Sequence, residues 1–153
     1  MLRLSKLTDY GTVVMTALAQ QPDTRRNASE LATELHLSTP TVSKILKTLA
    51  REGLLSSSRG VNGGYILKHS PTEITMSDVI AALEGPIALI ECAELPGQCS
   101  LEPLCSIRGN WLRINLAIRN ALEEITLADM ITPLPLPVRT PRRRQAVMPS
   151  TSN

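Results

Sequence analysis

Three helical patterns followed by a glycine-rich turn constrain the first 68 residues of this 153-residue chain more than any other feature. Apolar residues recur at steps of three and four, which predicts amphipathic helices. The predicted helices span residues 5–20, 29–36 and 40–52. Thr39 and Pro40 suit the N-cap and the first position of the third helix. Two short extended runs flank residues 60–64 and predict a β-hairpin. This order of elements indicates a winged helix-turn-helix with residues 40–52 as the recognition helix.

The remainder of the chain is predicted to form a fourth helix, a loop and a long C-terminal helix. Thr75 caps residues 76–83, and Gly85-Pro86 ends this helix. From residue 106 the apolar residues follow a heptad seam, which predicts a helix that forms a dimer. The seam is Ile107, Trp111, Ile114, Ile118, Ala121, Ile125 and Ala128. The expected fold class is mainly α, with a winged helix region (1–85), a cysteine loop (86–105), a dimerisation helix (106–131) and a disordered tail (132–153).

Composition favours one compact domain with an aliphatic core. The chain is 42% hydrophobic but has no Phe, two Tyr and one Trp. It contains no apolar run long enough to span a membrane and does not begin like a signal peptide, so we expect a cytoplasmic protein. No nucleophile with a base, phosphate-cradling loop or paired carboxylates can be identified, which argues against an enzyme.

Charge is divided unevenly along the chain. Residues 1–68 hold nine Lys/Arg against five Asp/Glu, whereas residues 69–132 hold three against nine. A basic region suits an anionic polymer, and the outward face of the third helix carries groups that hydrogen-bond base edges and phosphates. The candidate DNA-binding residues of this helix and the wing are Thr39, Thr41, Ser43, Lys44, Lys47, Arg51, Arg59 and Asn62. The alternative is a solvated helix face followed by an ordinary turn.

The three cysteines, Cys92, Cys99 and Cys105, lie within fourteen residues. An odd number in a reducing compartment argues against a disulfide framework. Thiolates crowded on one loop suit a soft metal or a cluster, and three of them leave one coordination position open. The spacing lacks the C-x2-C pairs of structural zinc sites. Zinc, or three free thiols acting as small buried hydrophobes, remain as alternatives.

Taken together, residues 4–131 resemble the Rrf-type bacterial transcription regulators, the family of the iron-sulfur assembly regulator IscR and the nitric oxide sensor NsrR. The similarity is carried by LTDYG at 7–11, SSRG at 57–60, GGY at 63–65, and the cysteine triplet before a long helix. It implies a homodimer and a 2Fe-2S or 4Fe-4S cluster held by the three cysteines. It further implies cluster-dependent binding of a double-stranded DNA operator, with neither a membrane nor a small-molecule substrate as partner. Within the family the chain is similar to regulators of the SUF cluster-assembly genes.

One position departs from the family pattern. Regulators resembling IscR carry a histidine three residues after the last cysteine, where this chain has Arg108, whose guanidinium stays protonated and cannot ligate. In nitric oxide sensors of the family an aspartate in the first helix of the partner subunit fills the fourth position, and Asp9 matches it. A plain surface carboxylate near a helix start is the alternative for Asp9. Glu91, Glu94 and Glu102 are further candidates.

Two other functions remain open for a chain with this resemblance. One is a nitric oxide-sensing repressor of the same family. The other, from a different class, is a cluster-free dimeric scaffold regulated by a partner protein.

Overall fold

The computed structural model describes residues 4–90, 93, 97 and 99–132, which form a mainly helical fold with one small sheet. The elements in chain order are α1 (Lys6–Gln20), α2 (Ala28–Glu34), α3 (Thr39–Arg51), β1 (Leu55–Ser58), β2 (Gly64–Leu67), α4 (Met76–Glu84), a 3-10 helix (Glu102–Leu104), α5 (Arg108–Glu123) and α6 (Leu127–Ile131). The strands β1 and β2 pair antiparallel, with Leu55 opposite Leu67 and Ser58 opposite Gly64. The predicted helices and hairpin of the winged helix-turn-helix are therefore present. Cys92 and the predicted tail from residue 133 onward lie outside the described residues.

The core is aliphatic, as the composition predicts. Helix α1 packs against α3, α4 and α6, and the buried side chains are Leu, Ile, Val, Ala and Met. Gly11 of α1 faces α4, and a Cβ atom there would collide with the end of the Leu83 side chain. The glycine therefore allows two helices to approach closely, which offsets its low helix propensity.

The turn between α2 and α3 is tight, and its cap differs by one residue from the prediction. His36 adopts a left-handed conformation with φ 54°. Ser38, and not Thr39, is the N-cap of α3, because its hydroxyl accepts the Thr41 N–H at 3.3 Å. Thr39 and Pro40 then occupy the first two helical positions, where a missing N–H has no intrahelical partner to lose.

The wing is joined to the start of α2 by a short backbone bridge that the sequence does not reveal. Arg26 N–H donates to the Tyr65 carbonyl at 2.9 Å, and Tyr65 N–H donates to the Arg26 carbonyl at 2.9 Å. Gly64 has a φ of 143°, and a Cβ atom at this position would lie 2.8 Å from the Arg26 carbonyl oxygen. Glycine is therefore required where β2 meets this segment.

The predicted helix over 106–131 is wrong as a continuous element, because two helices replace it. Helix α5 ends at Glu123, and Thr126 caps α6 through a capping box with Asp129. Two backbone hydrogen bonds fix the turn between them: Met76 N–H donates to the Ile125 carbonyl, and Leu127 N–H donates to the Ile74 carbonyl, both at 2.8 Å. Leu127, which is not a residue of the predicted heptad seam, is fully buried in the core. Burial of this apolar side chain favours a separate short helix over continuation of the seam.

Within the described part of the chain, no helix has both the length and the apolar character needed to cross a bilayer.

Candidate functional site

Helix α3 presents an apolar face to the core and a polar face to solvent. Val42, Ile45, Leu46 and Leu49 are completely buried. On the other side Lys44 and Lys47 are exposed, and neither forms a salt bridge to any residue that the structure describes. The ammonium groups are therefore available to phosphates, which is the arrangement that the sequence predicts for a recognition helix.

The other candidate DNA-binding residues are also accessible. Thr39 is exposed at the start of α3, and Thr41 and Ser43 are half-buried along it. Arg51 pairs with the neighbouring Glu52 at 3.0 Å, but both side chains are exposed. Such a surface pair contributes little and is easily exchanged for a phosphate.

The wing tip adds two further accessible candidates. Arg59 and Asn62 are exposed in the turn between β1 and β2. A basic side chain on a projecting wing can reach the minor groove, where a narrow width concentrates negative potential. The recognition helix and the wing tip together form the candidate DNA-binding face.

Arg26 is a structural residue behind the wing whose contact with the wing no local sequence pattern predicts. Its side chain is 14% exposed, and the guanidinium pairs with Glu34 and, at 3.8 Å, with Glu30. The backbone of the same residue pairs with Tyr65 in β2. Arg26 therefore links the wing to α2. The spacing of Arg26 four residues before Glu30 and eight before Glu34 was the sequence signal that could have predicted these ion pairs.

Two of the three cysteines lie on a compact segment before α5. Cys99 and Cys105 are half-buried free thiols on either side of the 3-10 helix. Glu102 N–H donates to the Cys99 carbonyl at 3.0 Å, and Arg108 N–H donates to the Cys105 carbonyl at 3.3 Å. The segment from Cys99 to Arg108 is thus tightly turned, and both thiols are partly open to solvent.

Glu102 and Arg108 form an ion pair beside Cys99. An Nη atom of Arg108 lies 2.7 Å from Glu102 Oε1, and the Glu102 side chain is 12% exposed. Glu102 Oε2 also accepts the Gly97 N–H at 2.6 Å. The open pocket at this point is lined by Gly97, Cys99, Ser100, Glu102, Pro103 and Arg108. Because both Glu102 oxygens already have partners, this carboxylate is a poor candidate for the fourth ligand, while Glu91 and Glu94 lie outside the described residues.

Asp9 lies in a different groove from the cysteines. It is exposed on α1, beside Thr12, Val13, Glu34 and Met130. Among the described residues, no group of three or more His, Cys, Asp or Glu side chains is placed to hold a metal ion. A role for Asp9 as a ligand therefore requires the groove of one subunit to face the cysteine segment of another.

The start of α1 is tied to the end of α4 by a carboxylate. Glu84 Oε1 accepts the Thr8 hydroxyl and the Ser5 N–H, each at 2.6 Å. The Thr8 hydroxyl, followed by the Ser5 amide, lowers the pKa of Glu84 below its ordinary value of 4.5 because both bonds favour the charged form. This contact joins the start of α1, which carries Asp9, to the last residue of α4, and the chain continues from there through Gly85 towards the cysteines.

A winged helix-turn-helix with a cationic recognition helix defines the class of DNA-binding transcription regulators. The chain matches the Rrf2 family model, described as an iron-dependent transcriptional regulator, over residues 4–133. It belongs to the Rrf2 family, as the motifs in the sequence indicate.

Relatives of known type support this assignment. The HTH-type transcriptional regulator NsrR of Halalkalibacterium halodurans is 31% identical over 133 residues, covering 86% of this chain and 91% of the relative. The structure of CymR, described as the global cysteine regulator of B. subtilis, matches with a TM-score of 0.68 at 31% identity, covering 86% of this chain and 97% of that one. The structure of T. potens IscR matches with a TM-score of 0.63 at 31% identity, covering 85% and 86%. The relatives are transcription regulators, which confirms the prediction that the chain is not an enzyme.

Proposed function

We propose that this chain is a cytoplasmic, homodimeric transcription regulator that senses iron-sulfur or redox status through a bound cluster and controls SUF cluster-assembly genes. The observation that carries the proposal is the pair of half-buried free thiols, Cys99 and Cys105, on a tightly turned segment that leads directly into α5. Cys92 supplies the third thiolate in this proposal. Thiolates on one short segment are the donors that iron-sulfur clusters take.

The fourth ligand in this proposal is Asp9 of the partner subunit. Arg108 stands where a histidine ligand is expected, and its guanidinium is engaged by Glu102. Glu102 is paired with Arg108 and the Gly97 N–H, so neither of these two side chains is a good candidate for the fourth ligand. Asp9 is proposed because it matches the position of the ligating aspartate in nitric oxide sensors of the family, and its exposed carboxylate lies at a groove that another subunit can approach.

The homodimer is proposed to form through α5. The exposed apolar side chains on this helix and just before it are Ile107, Trp111, Ile114 and Leu116. Ile107, Trp111 and Ile114 follow one face at steps of four and three, and such a row of exposed large apolar side chains is typical of a protein interface, whereas Leu116 lies on the opposite side. A second copy of the chain is the proposed occupant, because two-fold regulators read operators with two half-sites.

The residues of the chain have separate roles in this mechanism. The three cysteines and Asp9 of the partner subunit would hold the cluster, and the candidate DNA-binding face would contact the operator. A bound iron-sulfur cluster supplies a redox-active group whose presence depends on iron and sulfide. Ligation by residues of two subunits would bias how far apart the two α3 helices lie, and this spacing would change the fit to the two half-sites.

The test is iron and acid-labile sulfide per subunit on protein purified without oxygen. We expect a sulfide-bearing chromophore in the wild type, its loss in Cys99→Ala, and a weakened one in Asp9→Ala. Ser100→Ala is the control for Cys99→Ala, because Ser100 is its exposed neighbour in the sequence. Asp23→Ala is the control for Asp9→Ala, because it also removes an exposed aspartate. A colourless wild type that also resists reconstitution would contradict the proposal.

The related proteins favour two specific alternatives. Similarity to NsrR keeps a nitric oxide-sensing repressor in view, and rapid nitrosylation of the cluster with loss of operator binding would identify it. Similarity to CymR, described as the global cysteine regulator of B. subtilis, favours a role in cysteine regulation, for which a cluster-free dimeric scaffold regulated by a partner protein is the alternative. Absence of iron together with recovery of a partner enzyme complex would favour that second function.

A further inference from the structure

Helix α5 has one buried residue, and that residue is polar. Asn115 is 7% exposed and faces the segment between α4 and the cysteines. Its Oδ1 atom accepts the Leu89 N–H at 2.9 Å, and its Nδ2 atom donates to the Ile87 carbonyl at 3.2 Å. Burying an amide is costly unless it is hydrogen-bonded, and here both halves of the amide have backbone partners. Asn115 therefore fixes one register of this segment on α5.

A second side chain of α5 holds the same segment further along. Arg108 is the first residue of α5, where a positive charge is unfavourable with the helix dipole. Glu102 offsets this charge at 2.7 Å and also takes the Gly97 N–H. Arg108 Nε is buried and has no hydrogen-bond partner among the described residues, and the guanidinium contacts Glu102 through an Nη atom.

The two side chains share one face of α5. They are seven residues apart, which is about two helical turns and about 10 Å along the axis. Asn115 holds residues 87–89, before Cys99, and Arg108 holds Glu102, between Cys99 and Cys105. Among the described residues, the chain is therefore attached to α5 both before Cys99, through Asn115, and between Cys99 and Cys105, through Arg108.

We infer that Asn115 and Arg108 are positioning residues that clamp the cysteine segment to α5, so that a change of conformation at the thiols is transmitted to this helix. The inference rests on the proposed function, in which α5 forms the dimer interface. It adds the physical connection between the thiols and that interface.

The clamp predicts reciprocal effects between its two ends. In Asn115→Ala, Cys99 and Cys105 should react with iodoacetamide about threefold faster or more, although both lie at least ten residues from the broken contact. In Arg108→Ala, the Leu89 amide should exchange with deuterium about threefold faster or more. Loss of one local hydrogen bond without a clamp produces neither distant effect.

Matched controls are present on the same helix. Asn120→Ala removes an exposed asparagine, and Arg119→Ala removes an exposed ion pair with Glu123 at 3.2 Å. Both controls should leave thiol alkylation and Leu89 exchange unchanged. Arg108→Lys, which keeps the charge next to Glu102, should restore most of the wild-type Leu89 exchange rate.

The measurements use reduced, metal-free protein, so they remain decisive if no cluster is bound. Equal rates in Asn115→Ala and Asn120→Ala, or in Arg108→Ala and Arg119→Ala, would overturn the clamp. If circular dichroism shows that Asn115→Ala does not fold, the comparison of Arg108→Ala with Arg119→Ala is sufficient to test the clamp. Iron and sulfide content tests the proposed function separately, so failure of one can be told apart from failure of the other.

Discussion

Replacing Leu127 by alanine tests whether the C-terminal part of the chain is a core helix or the end of a heptad seam. Leu127 is fully buried against the core, so the substitution removes buried methyl groups and leaves a cavity. Such changes cost about 3 kcal/mol in the free energy of unfolding. For a domain of this size the loss corresponds to a fall of about 10 °C in Tm.

The assay is thermal unfolding followed by circular dichroism at one fixed protein concentration, since the stability of a dimer depends on concentration. Met130→Ala on the same helix and Ile125→Ala just before it are controls, because both side chains are more than 40% exposed. Each should lower Tm by only a few degrees. A larger effect for Ile125→Ala than for Leu127→Ala would refute the structure of this region and restore the continuous seam.

Three further predictions concern the wing, the pH dependence and the DNA-binding face. Gly64→Ala should destabilise by about 1–3 kcal/mol because its Cβ would collide with backbone, whereas Gly53→Ala, at positive φ in open space, should cost less; urea titration compares them. Glu84→Gln should lose less than about 1 kcal/mol at pH 7. Since the Thr8 hydroxyl lowers the pKa of Glu84, this difference should vanish as pH falls below its ordinary value of 4.5, which stability curves against pH would measure. Lys47→Gln should weaken binding to all duplexes and reduce the salt slope by about 1, as fluorescence anisotropy at several salt concentrations would show.

Local signals were sufficient to predict the DNA-binding half of the fold. Helical periodicity, Pro40 and the glycine-rich turn each act over a few residues, and the structure places α3 and the hairpin where they indicate. Gly11 is different, because its role appears only when α4 lies against α1. The bridge between Arg26 and Tyr65 likewise joins residues far apart in sequence, which no local pattern reveals.

The C-terminal half shows where sequence periodicity fails. The heptad pattern through Ile125 and Ala128 is real in the sequence, yet burial of Leu127 and the Thr126 cap outweigh it. Asn115 was missed because its value lies in two backbone partners contributed by another segment. The ion pair of Arg108 could be suspected from its departure from the family pattern, but the identity of its partner required the structure.

In the proposed function, the state of the cysteine segment controls DNA binding. The most direct test compares the affinity of anaerobically purified protein before and after iron chelation, using duplexes selected by the untreated protein from a random library. The account predicts that chelation changes the affinity of the wild type by at least about tenfold, a coupling of about 1.4 kcal/mol. It predicts no change for Cys99→Ala. Equal affinity of the two wild-type samples, or the same response in Cys99→Ala, would contradict it.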